Sequence, residues 1–171
     1  MMVVKNKVSK IYSLVLFFFL ICSLGYSQTL NVYDFTSFAN PYVPITGGTV
    51  LGTATAISGN AASLDKVVYT VTIPFSFKFE YNYYTTANIS TNGFMTLGAS
   101  APSNQVVTML DTAISANAVI SPMGGDLNGY FITGQPTQCG EIRYETLGAS
   151  PNRVFVLQYK NMRPWNNTAV Y

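Results

Sequence analysis

The chain has 171 residues, enough for one domain of ordinary size with its own core, whereas two domains would be cramped. Charged residues make up only 9%, against roughly 25% in typical globular chains, while hydrophobic residues reach 49% and aromatic residues 14%. The formal net charge is +2, but Lys5, Lys7 and Lys10 precede the apolar N-terminal run, so the remainder is near neutral and has no basic stripe for nucleic acid.

The N-terminal segment has the three parts of a secretory signal peptide. A positively charged start precedes an apolar run at residues 11–24, which is shorter than the roughly 20 residues that span a bilayer. Small residues at positions 25 and 27 then suit a signal peptidase. We predict a signal peptide at residues 1–27, cleavage between Ser27 and Gln28, a secreted or cell-surface location, and contact with a membrane only during export.

Histidine is absent from the chain, which removes the usual general base and the commonest transition-metal ligand. Serine-histidine and cysteine-histidine nucleophile pairs are therefore excluded. Cys22 would leave with the signal peptide, so Cys139 would have no partner for an intrachain disulfide. Without a base to form its thiolate, Cys139 is predicted to be a small buried or edge residue. These observations predict a protein that is not an enzyme.

Two regions follow the signal peptide. Residues 28–65 are predicted to form an extended lead-in with the first strands, and residues 66–171 the main domain. Within the lead-in, residues 49–57 have the β-branched composition of a strand, and Ser58-Gly59-Asn60 has the composition of a turn.

The clearest strand begins just after Lys66. Residues 67–73 alternate between apolar and polar side chains, and after Pro74 three phenylalanines continue that alternation at positions 75, 77 and 79. A period of two places the phenylalanines on one face of a strand whose other face is polar. Tyr81-Asn82-Tyr83 is predicted to connect this strand to the next.

The next strand, residues 84–91, runs into Asn92-Gly93, the dipeptide best suited to a tight hairpin turn. Two registers are open. A two-residue loop would pair Ile89 with Thr96, whereas a three-residue loop with a glycine bulge would pair Ile89 with Met95. The second register gives the more apolar face, and we favour it.

The rest of the chain alternates loops with short strands. Residues 99–117 have the composition of a loop, and the glycines of residues 124–129 argue against a regular element there. Strands are predicted at residues 141–146 and 153–159. Apolar residues at successive positions of the second strand predict that both its faces are buried and that it is central in its sheet.

No long stretch has helical periodicity, and short strands recur with turn residues between them. The predicted fold is therefore all-β, an antiparallel β-sandwich of the jelly-roll or immunoglobulin-like kind. Residues 166–171 read as a turn that leads into a new strand. We therefore expect the sandwich to be truncated at its C-terminus.

Several stretches of the chain carry a family resemblance. They are Ile73–Phe77, Ile89–Gly98, Ile120–Leu127, Ile142–Thr146 and Pro151–Asn161. In this order they resemble a nidogen-like or lectin-like β-sandwich domain of exported surface proteins from Bacteroidetes-type bacteria. The resemblance implies type IX secretion and a place ahead of fibronectin type III or immunoglobulin-like modules, and it implies no assigned chemistry.

A calcium site is one candidate for a bound ion. In Asp126-Leu127-Asn128-Gly129, side-chain oxygens alternate along the chain before a glycine, as in half of a calcium loop. The later acidic ligand of such a loop is missing, so Asp126 and Asn128 would need a ligand supplied by the fold. The alternative is a structural turn in which Asp126 accepts backbone hydrogen bonds. No other cofactor is predicted.

Aromatic side chains are the candidates for ligand binding. A tyrosine or tryptophan ring offers a flat face to a pyranose and a polar edge to its hydroxyls, although aromatic residues also fill the cores of β-proteins. The candidates are Tyr81, Tyr83, Tyr84, Tyr130 and Trp165.

Two functions from different classes fit these observations. The first is a non-catalytic, exported β-sandwich module for surface display, adhesion, or binding of a cell-surface glycan or protein. The alternative is an accessory domain of a secreted hydrolase whose catalytic part lies beyond residue 171. A spacer that binds nothing is a third reading.

Overall fold

The computed structural model describes residues 39, 41–104 and 118–165. The chain divides into two units, Met1–Tyr42 and Val43–Tyr171, and every element below lies in the second. The predicted signal peptide, its cleavage site and the predicted unfinished strand at the C-terminus lie outside the described residues.

The described residues form strands and two single-turn 3-10 helices, with no α-helix among them. The prediction of an all-β fold is confirmed. No described helix is long and apolar enough to cross a membrane. The strands are β1 (Thr49–Thr53), β2 (Val68–Phe79), β3 (Asn82–Ser90), β4 (Phe94–Leu97), β5 (Val119–Ile120), β6 (Leu127–Gly129), β7 (Glu141–Leu147), β8 (Val154–Lys160) and β9 (Met162–Pro164). The 3-10 helices are Ala61–Ser63 and Pro136–Gln138.

These strands make three antiparallel sheets. The first has the order β1-β7-β8, the second the order β2-β3-β4-β5, and β6 pairs with β9 in a two-stranded ribbon. Apolar side chains from all three sheets pack into one buried cluster, as the inner faces of a β-sandwich do. Its strand members are Val71, Ile73, Ala87, Ile89, Leu97, Leu127, Ile142 and Met162. The strand β1 belongs to this arrangement, so the region before residue 66 contributes to a sheet of the domain.

The predicted alternation of β2 is confirmed. Apolar side chains at alternate positions from Val71 to Phe79 pack on or into the core, and the residues between them are exposed. The pairing with β3 is regular through Thr72 and resumes at Phe77. Pro74 lies in the interruption, where its lack of an N–H costs the sheet no hydrogen bond.

The favoured hairpin register is also confirmed. Ile89 pairs with Met95, and Ser90 pairs with Phe94, so Thr91-Asn92-Gly93 is a three-residue loop. Gly93 has a φ of 75°, the left-handed conformation that glycine adopts without a steric penalty. The loop differs from a surface turn, however, because Thr91 and Asn92 are fully buried.

The prediction of a central, doubly buried β8 is wrong. In the described residues β7 is the middle strand and β8 pairs with it alone. One face of β8 packs on the core through Phe155 and Leu157, but on the other face Val154 is 55% exposed. Apolar residues at successive positions of β8 therefore belong to an edge strand with one partly exposed face. Sequence composition alone does not distinguish such an edge strand from a central strand that is buried on both faces.

Two local predictions also need correction. The connection between β2 and β3 is the turn Glu80–Tyr81, where Glu80 has a φ of 53°, and β3 has already begun at Asn82. The glycines of residues 124–129 predict no regular element, yet these residues contain β6. This strand forms because β9 offers it a partner from far along the chain.

A partly buried tyrosine connects the first two sheets. The hydroxyl of Tyr159 on β8 donates to the carbonyl oxygen of Ser90 at 2.8 Å and lies 3.3 Å from that of Phe94. Burial raises the pKa of Tyr159 well above its usual value. The phenol therefore remains a hydrogen-bond donor to the β3–β4 hairpin throughout the physiological range.

Candidate recognition surface

The β6–β9 ribbon has one apolar face and one polar face. Leu127 pairs with Pro164 and Gly129 with Met162, and Leu127 and Met162 belong to the core. Strand alternation places the residues between them on the opposite side. We call that side the outer ribbon face; its members are Asp126, Asn128, Tyr130, Arg163 and Trp165.

The buried hairpin loop positions one end of this face. The backbone N–H of Leu127 donates to the side-chain oxygen of Asn92 at 3.1 Å, and that of Gly125 donates to the backbone oxygen of Asn92 at 3.1 Å. Met123 and Gly124 donate in the same way to Gly93. The Thr91-Asn92-Gly93 loop therefore accepts backbone hydrogen bonds as a neighbouring strand would, and it holds the segment that enters β6.

Arg163 is held in a defined orientation on the outer ribbon face. Its Nε donates to Oδ1 of Asn128 at 3.1 Å, and its guanidinium lies 5.9 Å from the ring centroid of Tyr130. Asn128 is itself 2% exposed, so it fixes the arginine from below. Within the described part of the chain, Arg163 forms no ion pair with a carboxylate.

Trp165 lies on the same face, at the end where the chain enters β6. Its backbone N–H donates to the carbonyl oxygen of Asp126 at 2.8 Å, which extends the ribbon by one step. The Trp165 side chain is 40% exposed, and Nζ of Lys66 lies 6.0 Å from its ring centroid. Lys66 also approaches the carboxylate of Asp65 at 3.9 Å. The tryptophan therefore lies near a lysine whose ammonium group is itself paired with an acid.

Asp65 is the buried acid of this cluster. It is 4% exposed, and its Oδ1 has no hydrogen-bond partner in the described residues. Burial raises the pKa of Asp65 above its ordinary value of 3.8, and the charge of Asp126 raises it further, while Lys66 opposes both effects. The neighbours Leu64 and Lys66 both have left-handed backbone, with φ of 53° and 51°. The segment is therefore strained as well as desolvated.

Replacing Asp65 by asparagine should stabilise the fold increasingly as the pH rises. Because the native pKa of Asp65 lies above the unfolded value, the native state binds more protons between the two, and the stability contributed by Asp65 falls as the pH rises through the native pKa. Asparagine does not titrate. The difference in unfolding free energy, Asp65→Asn minus wild type, should therefore increase from about pH 3.5 to pH 7, as measured by urea unfolding.

A second variant tests the cause of this pH dependence. Asp126→Asn removes one of the charges that raise the pKa of Asp65, so it should reduce the pH-dependent difference without abolishing it. A difference between Asp65→Asn and wild type that is constant across the pH range would contradict the account.

A cleft adjoins the Trp165 end of the ribbon. Its volume is about 400 Å³, and it is lined by Met123, Gly125, Asp126, Leu127 and Pro164. The lining is mostly apolar, with the carboxylate of Asp126 as its charged group. A cleft of this size and composition accommodates one small organic group.

The structure divides the predicted ligand-binding residues into two sets. Tyr130 and Trp165 lie on the outer ribbon face, together with Asp126 and Asn128, which were predicted for a different ligand. The other three tyrosines lie on the β2–β3 hairpin. There Tyr81 is 92% and Tyr83 66% exposed, whereas Tyr84 is partly buried against the core.

The residues that sequence reasoning missed are Arg163, Lys66 and Asp65. Arg163 precedes Trp165 by two positions, a spacing that shares a face on a strand, but no strand was predicted there. Lys66 and Asp65 reach the ribbon only through the fold, and no pattern in the chain indicates that contact.

The predicted calcium ligands lie on the outer ribbon face as well. Oδ1 of Asn128 already accepts a hydrogen bond from the cationic Arg163. Within the described residues, no group of three or more histidine, cysteine, aspartate and glutamate side chains is arranged to hold a metal. The calcium site stays a prediction, and an ion at Asp126 and Asn128 would have to share Oδ1 of Asn128 with the cationic guanidinium or displace it. Cys139 is buried, as expected, and its thiol faces the carbonyl oxygens of Ile132 and Gln135.

Comparison with known proteins gives a family match. A family model described as NIDO related matches residues 32–171, which is most of the chain. The predicted nidogen-like character of the domain is thereby confirmed. Neither the curated proteins nor the solved structures contain a match.

Proposed function

We propose that this chain, which belongs to the NIDO-related family, is a non-catalytic recognition module that binds a cell-surface or extracellular glycan through its outer ribbon face. The proposal combines an exposed aromatic ring for stacking with polar groups that are held in place around it. Display at the cell surface and adhesion are the biological roles that such a module would serve.

The observation that carries the proposal is the arrangement around Trp165. Trp165 is 40% exposed, on the same face as Tyr130 and Arg163, and the adjoining Pro164 and the opposite Asp126 line a cleft. Exposed tryptophan is unusual for a residue that could bury its large apolar area, and it is a common anchor in binding surfaces. The backbone hydrogen bond from Trp165 to Asp126 fixes the residue to the end of the β6–β9 ribbon, which gives it the rigidity that recognition needs.

We further propose that the chain is exported, and that it acts in surface proteins of Bacteroidetes-type bacteria that leave by type IX secretion, ahead of fibronectin type III or immunoglobulin-like modules. The three-part N-terminal segment and the resemblance of the strand motifs support this context. N-terminal sequencing of the product from the culture medium should give Gln28 as the first residue. Retention of the full chain in the cytoplasm would contradict export.

A glycan array with matched aromatic variants tests the binding function. We expect Trp165→Ala to weaken binding at least tenfold, because one stacked ring contributes about 1.5 kcal/mol or more at a binding surface. Tyr81→Ala, on the β2–β3 hairpin, should leave binding within about twofold. Unchanged melting temperatures of both variants would show that the fold is retained.

Three outcomes would count against the proposal. Absence of binding on the array and to whole cells would remove the recognition function. Loss of binding in Tyr81→Ala but not in Trp165→Ala would move the site to the hairpin. Hydrolysis of a glycan by the purified chain would contradict the non-catalytic role.

A further inference from the structure

We infer that the glycan bound by the outer ribbon face carries a carboxylate, as uronic acids do, and that Arg163 is the group that pairs with it. This inference rests on the proposed function and names the ligand class of the same site. The outer ribbon face is suited to one acidic pyranose, with its carboxylate at Arg163 and its ring at Trp165.

Arg163 differs from the other two arginines of the chain. Arg143 forms an ion pair with Glu141 and donates to the carbonyl oxygens of Thr46 and Gly47. Arg153 donates to the carbonyl oxygen of Pro74. In the described part of the chain, Arg163 uses only its Nε, which leaves both Nη atoms for a partner. Arg163 is the one of the three that lies on the outer ribbon face with both Nη atoms unused among the described residues.

The contacts of Arg163 also prepare it for a carboxylate. Asn128 and Tyr130 restrict the guanidinium on two sides, so less conformational freedom is lost when a ligand binds. The two Nη groups form a planar fork that matches the two oxygens of a carboxylate. Arg163 is partly buried, which strengthens such a pair relative to one in open solvent.

The spacing to Trp165 fits one sugar unit. Residues two positions apart on a strand are separated by roughly 7 Å and project from the same face. A carboxylate at Arg163 therefore places the attached ring close to the indole. A linear acidic peptide could meet Arg163, but it offers no ring to stack on Trp165.

The charges on the face orient the ligand. Asp126 lies opposite Trp165 and Asp65 lies next to Lys66, so the Trp165 end carries two acids and one base. An anionic group is disfavoured at that end and favoured at Arg163. Asp126 is an acceptor for the hydroxyls of the sugar ring. The pyranose therefore binds in one direction along the ribbon, with its carboxylate at Arg163 and its hydroxyls at Asp126.

Binding to paired acidic and neutral polymers tests the inference. Polygalacturonate, polymannuronate and polyglucuronate are each compared with their carboxyl-reduced forms, using the purified full chain and isothermal titration. At least one acidic polymer should bind ten or more times tighter than its reduced form. Arg163→Gln should reduce that preference to about threefold or less, since the charged hydrogen bonds would be gone.

Matched controls separate Arg163 from general charge effects. Arg153→Gln removes the same charge just before β8, where the guanidinium lies 5.1 Å from the ring centroid of Phe75, and it should keep the full preference. Arg163→Lys retains the charge without the fork and should show an intermediate preference. Poly-glutamate should bind at least tenfold more weakly than the best acidic glycan.

The results distinguish this inference from the proposed function. Equal binding of the acidic and reduced polymers, with loss of both in Trp165→Ala, would overturn the inference and leave the glycan-binding function standing. Equal binding of poly-glutamate would replace the glycan with an acidic peptide as the ligand. Binding of none of these polymers, with no binding on the glycan array, would overturn both.

Discussion

Replacing Gly140 by alanine is expected to lower the free energy of unfolding by about 3 kcal/mol. A Cβ at this position would lie 2.5 Å from the Cα of Gly129 and 3.0 Å from the backbone nitrogen of Tyr130. These neighbours are backbone atoms of the ribbon, so no side-chain rotation relieves the contact. Gly140 also donates to the carbonyl oxygen of Tyr130 at 2.7 Å, and its own carbonyl accepts from Ala54 at 2.8 Å. The methyl group would therefore separate segments that hydrogen-bond across the glycine.

Gly125→Ala is the matched control for Gly140→Ala. Among the described residues, a Cβ at Gly125 would meet no atom closer than the Met123 carbonyl oxygen at 4.0 Å, so the same chemical change should alter stability by about 0.5 kcal/mol or less. Urea unfolding followed by circular dichroism measures both variants. Equal stability of the two would contradict the close approach at Gly140.

Replacing Asn88 by alanine is expected to cost a similarly large amount, about 3 kcal/mol. Asn88 is fully buried in β3, and its amide joins neighbouring strands to the loop that follows β4. Its Oδ1 accepts from the hydroxyl of Thr70 at 2.8 Å, and its Nδ2 donates to the carbonyl oxygens of Gly98 at 2.9 Å and Ser100 at 3.3 Å. Alanine would leave these groups without partners and would open a cavity beside them.

Asn82→Ala provides the comparison for Asn88→Ala. Asn82 lies at the exposed start of the same strand, so its replacement should change the free energy of unfolding by about 0.5 kcal/mol or less. Thermal and urea unfolding of both variants gives the difference. If Asn88→Ala retained wild-type stability, the amide network would contribute nothing to holding the loop after β4.

The position of Asn88 on a strand follows from the local pattern, because residues 84–91 lead into an Asn-Gly turn. Its burial does not follow, since the apolar face of that strand is the one that carries Ile89. The opposite face is covered by a loop whose path no local signal specifies. Alternation alone would therefore predict a solvated side chain where the fold buries an amide.

Gly140 illustrates the same limit for backbone contacts. Its neighbour Cys139 is predicted to be a small buried or edge residue, and it is 3% exposed. The reason for a glycine next to it is the backbone of Gly129, eleven positions earlier, which lies in a segment whose glycines argue against regular structure. Here the glycines permit close packing of strands instead of breaking them.

The features that the sequence predicts on its own are those set by interactions between residues close together in the chain. The alternation of apolar and polar residues in β2 acts within a few residues, and it predicts the core-facing side of that strand. The preference of Gly93 for the left-handed conformation is equally local, and it predicts the pairing of Ile89 with Met95. The all-β fold follows from local patterns of this kind. The outer ribbon face, in contrast, does not follow from local patterns. Tyr130 and Trp165 are recognisable as aromatic candidates, but their union with Arg163 requires β6 and β9 to pair across more than thirty residues. Which two strands pair depends on the strand edges and apolar faces that are still uncovered once the rest of the sandwich has assembled. Only the tertiary structure shows which edges and faces these are.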